Sequence, residues 1–381
     1  MRKTTTYQLL VFAIFFIFIA CSKSVADDIL PPPPDKEEED NSKYGWEKNR
    51  TSLLENNDMV LLYAGGSHRP YHWDEQYVEP YVTYKDESGK EHWMFDSFLF
   101  LEIYSAEDIT FATGYKDSSG QPLKPAKKQD WERLIDHYFQ SRLCIGALEK
   151  SIESAKKRIG EPTEKRKIVI GIPEPIKSQK NWGSVREHGT MLDFSRINDR
   201  IAACEWYIDY AREKFNEMNF KNIELAGFYW IAETASDTKE ILSDLSSYLN
   251  KLKYSFVWIP YNGAHGAFDW KRLTFNYAYY QPNYFFNDKR DISWLNKACE
   301  DAIKYDMDME IEFDDRVLAR YGWAYRLENY MNAFKDYGIW ENRRIAYYQG
   351  GITLYNLSKA TVKEDVELYH KFSKFVTERP K

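Results

Sequence analysis

Residues Met307 to Asp315 alternate without a break. Met307, Met309, Ile311 and Phe313 fall on one side of an extended chain, and Asp308, Glu310, Glu312 and Asp314 on the other. Period two predicts a strand with an apolar face and an acidic face. The flanking stretches read as strand–helix units, an arrangement that buries both faces of a parallel sheet. Carboxylates inside such a sheet are costly unless paired or put to use, so this acidic face is the first candidate for chemistry.

Compact apolar runs recur along the chain at Met59 to Gly65, Met94 to Ile103, Lys167 to Ile172, Asn222 to Ile231, Ser255 to Tyr261, Leu273 to Tyr280 and Arg344 to Gln349. With Met307 to Phe313 they make eight predicted strands. Between them, apolar residues at helical spacing predict helices over Asp130 to Ile159, Asp193 to Met218, Ser236 to Leu252, Ile292 to Tyr305, Gly322 to Tyr337 and Val362 to Thr377. Strands and helices in alternation point to an α/β fold, a single (β/α)8 TIM-like barrel. The competing arrangement is an open doubly wound sheet, but Gly65-Gly66 lacks the glycine spacing of a phosphate loop. Two connections fit the barrel poorly: residues 66–93 show no clean helix, and Asn262 to Arg272 is too short for a full one.

The first 45 residues follow different rules. Arg2 and Lys3 precede an apolar run, Leu9 to Ile19, that ends at Ala20-Cys21 and is short for a bilayer span. The reading is a lipoprotein signal peptide over 1–20, with Cys21 the acylated residue. Residues 21–45 form an expected disordered tether, with Pro31 to Pro34 a stiff rod and Asp35 to Asp40 a mostly acidic run. The barrel then occupies 46–381. The expected location is the bacterial outer membrane, on the cell-surface or periplasmic side, held through the Cys21 lipid.

A net charge of -7 argues against sequence-independent nucleic-acid binding, which needs a basic surface. Setting Cys21 aside, Cys144, Cys204 and Cys299 are an odd, widely spaced set that reads as buried thiols, not a disulfide framework. His68, His72 and His92 gather in the irregular 66–93 region, but no helix orients them and no further ligand stands at metal spacing. Neither a metal nor a cofactor is expected.

In a barrel, sites gather at the C-terminal ends of the strands. There Glu233 follows a very apolar strand, where desolvation raises a carboxyl toward a general acid's range. Glu312 ends the seventh strand, with Glu310 one layer deeper and expected to be the less accessible. Two carboxylates from different strands can divide the work of glycosidic cleavage. Tyr63, Glu102, Glu174, Trp258, Asn262, Tyr279, Gln281, Asn283 and Gln349 stand at other strand ends. Amides and acids of that kind bind sugar hydroxyls, and rings bind sugar faces.

The stretches Gly227-Phe228-Tyr229-Trp230-Ile231-Ala232-Glu233, Glu310-Ile311-Glu312-Phe313-Asp314 and Met94-Phe95-Asp96-Ser97-Phe98-Leu99-Phe100 resemble a Bacteroidetes lipoprotein family, domain of unknown function 4855, similar in turn to TIM-barrel glycoside hydrolases. The resemblance covers the chain after the tether. It implies a retaining glycosidase acting on a poly- or oligosaccharide, with Glu233 as acid/base and Glu312 as nucleophile, and other polysaccharide-utilisation proteins as partners. Ala232 stands where such enzymes carry the Asn that contacts the sugar 2-hydroxyl. The rival expectation is a non-catalytic glycan-binding surface lipoprotein on the same scaffold, since fold alone does not decide function. The lipid anchor is directly testable. Cys21→Ala is expected to move the protein from the membrane pellet to the soluble fraction of its native host, and unchanged pelleting would refute the anchor.

Overall fold

All eight predicted strands form, with ends that shift by no more than four residues. In the computed structural model they are β1 (Asp58–Tyr63), β2 (Ser97–Leu101), β3 (Arg166–Ile172), β4 (Ile223–Trp230), β5 (Ser255–Trp258), β6 (Tyr277–Tyr280), β7 (Asp308–Glu312) and β8 (Ile345–Tyr348). They close in chain order into a parallel barrel, β1 pairing with both β2 and β8. The fold is therefore the (β/α)8 barrel and not an open sheet. The structure describes residues 54–66, 68–105 and 108–380, so the signal peptide, Cys21 and the 21–45 tether lie outside the described residues. Among those described, no helix is long and apolar enough to cross a membrane.

Helices cover the outer wall: α1 (Glu75–Val82), α2 (Lys128–Tyr138), α3 (Cys144–Ile159), α4 (Ile197–Met218), α5 (Lys239–Lys251), α6 (Ile292–Lys304), α7 (Ala324–Asp336), α8 (Ile339–Asn342), α9 (Thr353–Ser358) and α10 (Lys363–Thr377). Two departures from the sequence expectation have local causes. Helix α1 lies within 66–93 although Pro80 interrupts its hydrogen bonding. Asp74 caps it by accepting from the N–H groups of Gln76 and Tyr77, and burial of Val78, Tyr81 and Val82 offsets the proline. The single helix expected over Asp130 to Ile159 breaks into α2 and α3. The chain turns at Gln140, whose carbonyl would lie 2.4 Å from a Cβ at position 146, so only Gly146 permits the approach. The short Asn262 to Arg272 link holds one 3-10 turn, Ala267–Asp269.

Register settles which face of β7 looks inward. Glu310 pairs with Ala346 and Glu312 with Tyr348, while Phe313 and Tyr347 both pack on Phe372 of α10. The apolar face of β7 therefore meets the helices, and Asp308, Glu310 and Glu312 face the barrel interior.

The lower end of the barrel is closed by polar groups that satisfy one another. The Leu54 N–H donates to the Ser255 hydroxyl at 2.7 Å, and the Asn56 amide donates to the Ser97 hydroxyl at 2.9 Å. Tyr279, expected at the sugar site, instead lies here, its hydroxyl donating to Asn56 at 3.3 Å. Asp58 is fully buried, accepting from the Arg379 guanidinium at 2.5 Å and the Tyr347 hydroxyl at 2.6 Å. Removing one partner of a buried ion pair strands the other charge, at about 3–5 kcal/mol. Arg379→Ala is expected to lower unfolding stability on that scale, measured by urea denaturation, and Asp58→Asn in the same chain is expected to recover part of it. A loss below about 1 kcal/mol would show that the pair does not hold the C-terminus to the barrel floor.

Candidate active site

The upper end differs in kind. Strand β4 carries the chain to Glu233, three residues past its last residue Trp230, where the side chain is half-buried. Burial pushes it up to about 7, and the Gln281 amide, reaching toward it from the end of β6, offsets part of that rise. Glu310 and Glu312 come from β7 and are both fully buried. Glu312 is pushed up to about 7 by burial, against the stabilising Tyr330 hydroxyl, which donates to its Oε2 at 2.6 Å, and the N–H groups of Asn283 and Tyr284. Glu310 is pushed well above the carboxylate range by burial, then by the charges of Glu312 and Glu233. Neither of its oxygens has a well-formed hydrogen bond among the described residues, although Gln281 stands close enough to ease it slightly.

Three carboxyls from two strands thus act on one another across one end of the barrel. Glu233 raises Glu312 by its charge, so the two carboxyls feel one another. Glu312, expected to be the more accessible of the β7 acids, is as fully buried as Glu310. The cause is the 281–286 segment with α7, which brings Tyr330 and two backbone N–H groups onto the Glu312 carboxyl.

Aromatic rings wall this end. Tyr63, at the tip of β1, meets Tyr348 edge-on at 5.6 Å, and Tyr348 meets Phe286 at 5.7 Å. The Tyr63 hydroxyl is pushed up by burial, then by Tyr348, Tyr229 and Glu233, which places it beside the acids. Across from it, Tyr104 lies between Tyr115 and the His68 ring, which stacks on it at 4.3 Å. Glu102, at the end of β2, accepts from both guanidinium nitrogens of Arg69, at 2.9 and 2.6 Å, and from the Gly66 N–H at 2.9 Å.

Other expected site residues are placed elsewhere or already engaged. Trp258 is fully buried, stacked on Phe275 at 4.9 Å, its indole N–H donating to the Ala232 carbonyl at 2.8 Å, so it offers no face to a ligand. Gln349 accepts from the Tyr81 hydroxyl at 3.0 Å and donates to the Gly351 carbonyl, fixing the loop after β8. Glu174 accepts the Thr113 N–H at 2.6 Å and is raised by burial. Asn283 contributes backbone, with its N–H toward Glu312 and its carbonyl held by Arg290. Asn262 is half-buried at the β5 end, its N–H on the Gln281 carbonyl at 2.8 Å.

The residues that sequence reasoning passed over are Tyr229, Tyr348, Tyr330 and Tyr115. The first two share the inward phase of β4 and β8 and were legible by alternation. Tyr330 lies on a helix and Tyr115 in a loop, and nothing local marks either. The histidines do not converge: His68 stacks on Tyr104, His92 bonds Asp86 at 2.8 Å, and His72 is exposed. No group of three or more His, Cys, Asp or Glu side chains could hold a metal ion among the described residues. Cys144, Cys204 and Cys299 are free and buried.

Compared with known proteins, residues 58–374 match the family model described as a domain of unknown function, DUF4855. No curated protein matches the chain. Among solved structures, a mutant tryptophan synthase alpha-subunit from Pyrococcus furiosus aligns at 8% identity and TM-score 0.37, covering 85% of this chain and 98% of the other. The tryptophan synthase complex of the same organism aligns with the same values. At that level neither carries an argument about chemistry.

The acids at this end make stability depend on pH. Held protonated in the fold more tightly than in the unfolded chain, they favour folding at low pH. That contribution is lost as pH rises from the ordinary value of 4.5 through about 7, where Glu233 and Glu312 release their protons. Glu310→Gln replaces a buried acid with a permanently neutral isostere. It is expected to raise the melting temperature by roughly 2 °C or more at pH about 8, and to leave it nearly unchanged near pH 5. A shift independent of pH would show that Glu310 does not hold an elevated proton.

Proposed function

We propose that this chain, which belongs to the DUF4855 family, is a glycoside hydrolase that cleaves poly- or oligosaccharides with two carboxyl groups. The observation that carries the reading is Glu233: a half-buried carboxyl at a strand end, raised to about 7, facing two more carboxyls from β7 inside an aromatic wall. A group titrating there is protonated often enough near neutral pH to donate to a leaving oxygen, and basic enough afterwards to take a proton from water.

In this reading Glu233 is the acid/base. Glu312, held on Oε2 by Tyr330, presents its unbonded Oε1 as the nucleophile, giving the retaining course. Substrate reaches it when the 281–286 segment shifts. Gln281, between Glu233 and Glu310, supplies the amide for a sugar hydroxyl that Ala232 cannot. The second reading, a non-catalytic glycan-binding protein, is favoured by one observation, the complete burial of both β7 acids. Either activity would be displayed at the outer membrane through the Cys21 lipid, alongside other polysaccharide-utilisation proteins.

Reducing-sugar release from a polysaccharide panel separates the two readings. For an enzyme, Glu312→Gln is expected to abolish turnover. Glu233→Gln is expected to lower it by about 10²–10⁴ on natural glycans. The loss should be much smaller on an aryl glycoside whose leaving group needs no proton. Full turnover by Glu312→Gln, with loss in Glu310→Gln, would move the nucleophile to Glu310. Turnover retained by both would sink the two-carboxylate mechanism.

A further inference from the structure

The loops after β7 and β8 form an open groove of about 570 Å³, lined in part by Asp314, Asp315, Arg316, Tyr321, Thr353 and Asn356. That volume lies in the range of about 300–1,000 Å³ typical of small-ligand sites. Asp314 in the groove wall stands two residues beyond Glu312, and Tyr348, the register partner of Glu312, has its hydroxyl pushed up by burial, then by the charges of Glu310 and Asp314. The groove's polar groups are already fixed. Arg316 grips Asp314 with two nitrogens at 2.9 Å each, and Asp315 accepts from Thr353 at 2.8 Å and Asn356 at 3.0 Å.

Two properties of the lining define what would bind. The first is an unused ring. Tyr321 is 52% exposed, an aromatic face at the edge of a polar groove, with the Arg320 guanidinium 4.9 Å from its centre. The second is charge. Arg316 is the one cation among the described lining residues, and it is committed to Asp314 and to the Trp323 ring, 4.5 Å away. With Asp315 added, the lining is net negative. Arg320 stands outside the lining, so within it an acidic sugar would meet no unpaired cation, whereas a neutral one would find fixed carboxylates and amides for its hydroxyls and a ring for its apolar face.

We propose that this groove is a second sugar subsite, which takes further units of a neutral glycan chain running on from the acid cluster. The inference rests on the glycan-directed reading above and extends it from one sugar position to a polymer. Tyr321 is the stacking platform, and Asp315, Thr353 and Asn356 hold hydroxyls.

Calorimetric titration of the Glu233→Gln protein with hexamers of β-glucan, xylan, mannan and galacturonan tests it by binding alone. At least one neutral hexamer is expected to bind, and acidic galacturonan is expected not to. Tyr321→Ala should weaken the neutral hexamer about tenfold, the scale of a lost aromatic contact. Tyr325→Ala, equally exposed at 50% but not lining the groove, should not. Preference for galacturonan, binding of no neutral hexamer, or an unchanged affinity in Tyr321→Ala would each overturn the subsite. Tyr321-dependent binding without any sugar release by wild type would sink catalysis and leave the subsite. Sugar release with no effect of Tyr321→Ala would do the reverse.

Discussion

A parallel barrel buried on both faces gives each ionisable side chain that points inward two options: find a counter-charge, or keep its proton. The chain takes the first course at the lower end. Asp308, on the same face of β7 as the other acids, has Arg344 within 3.6 Å, and its rise to about 6 is the balance of burial against that neighbour. On the outer side of the wall, Asp58 meets Arg379 and Tyr347. At the upper end the second course prevails. Two pleats along one strand, from Asp308 to Glu312, lead from a paired acid to acids that hold protons.

Glu233 raises both β7 acids and Glu312 raises Glu310, so the titrations of these groups are linked. Ionising the half-buried Glu233 makes ionisation of either β7 acid harder, which favours a state with one group charged and another protonated. That is the condition a two-carboxylate mechanism needs, one group charged and one protonated. The same arrangement suits a binding cleft less well, since a hydroxyl acceptor gains nothing from an adjacent acid that competes for its charge. The burial of Glu312 pulls the other way. The balance turns on whether the 281–286 segment, which lays two N–H groups on that carboxyl, yields to substrate.

The eight strands and most helices were legible because parallel strands buried on both faces are nearly continuous apolar runs, and surface helices alternate at 3.6 residues. Glu233 and Glu312 were legible for the same reason, as acids at the ends of such runs. What escaped had no local signal. Helix α1 hides behind Pro80, and Tyr330 and Tyr115 reach the acids from a helix and a loop. Trp258 and Tyr279 show the limit of strand-end reasoning. One pleat decides whether a ring faces the barrel or the helices, and a few residues along the strand decide whether it sits at the mouth or the floor. Trp258 pairs with the equally buried Trp230, while Tyr279 pairs with Asp308 at the start of β7.

The protons stay because the acids are buried and because two nearby arginines are engaged by other carboxylates. A free guanidinium a few ångströms from Glu233 or Glu310 would pull either carboxyl down by a unit or more, on the order of 1–3 units for an adjacent Arg. Arg69 would be such a group, since its guanidinium lies 5.0 Å from the centre of the Tyr63 ring, which itself feels the charge of Glu233. Glu102 takes both faces of that fork, and the carboxylate fits only because position 66 is glycine: a Cβ there would lie 2.5 Å from Glu102 Oε2. Asp314 does the same for Arg316 on the other side. Arg69 and Arg316 are thus each paired with an acid outside the cluster. Burial among the apolar strands raises the carboxyls, and Gly66 and Asp314 keep two nearby cations engaged elsewhere.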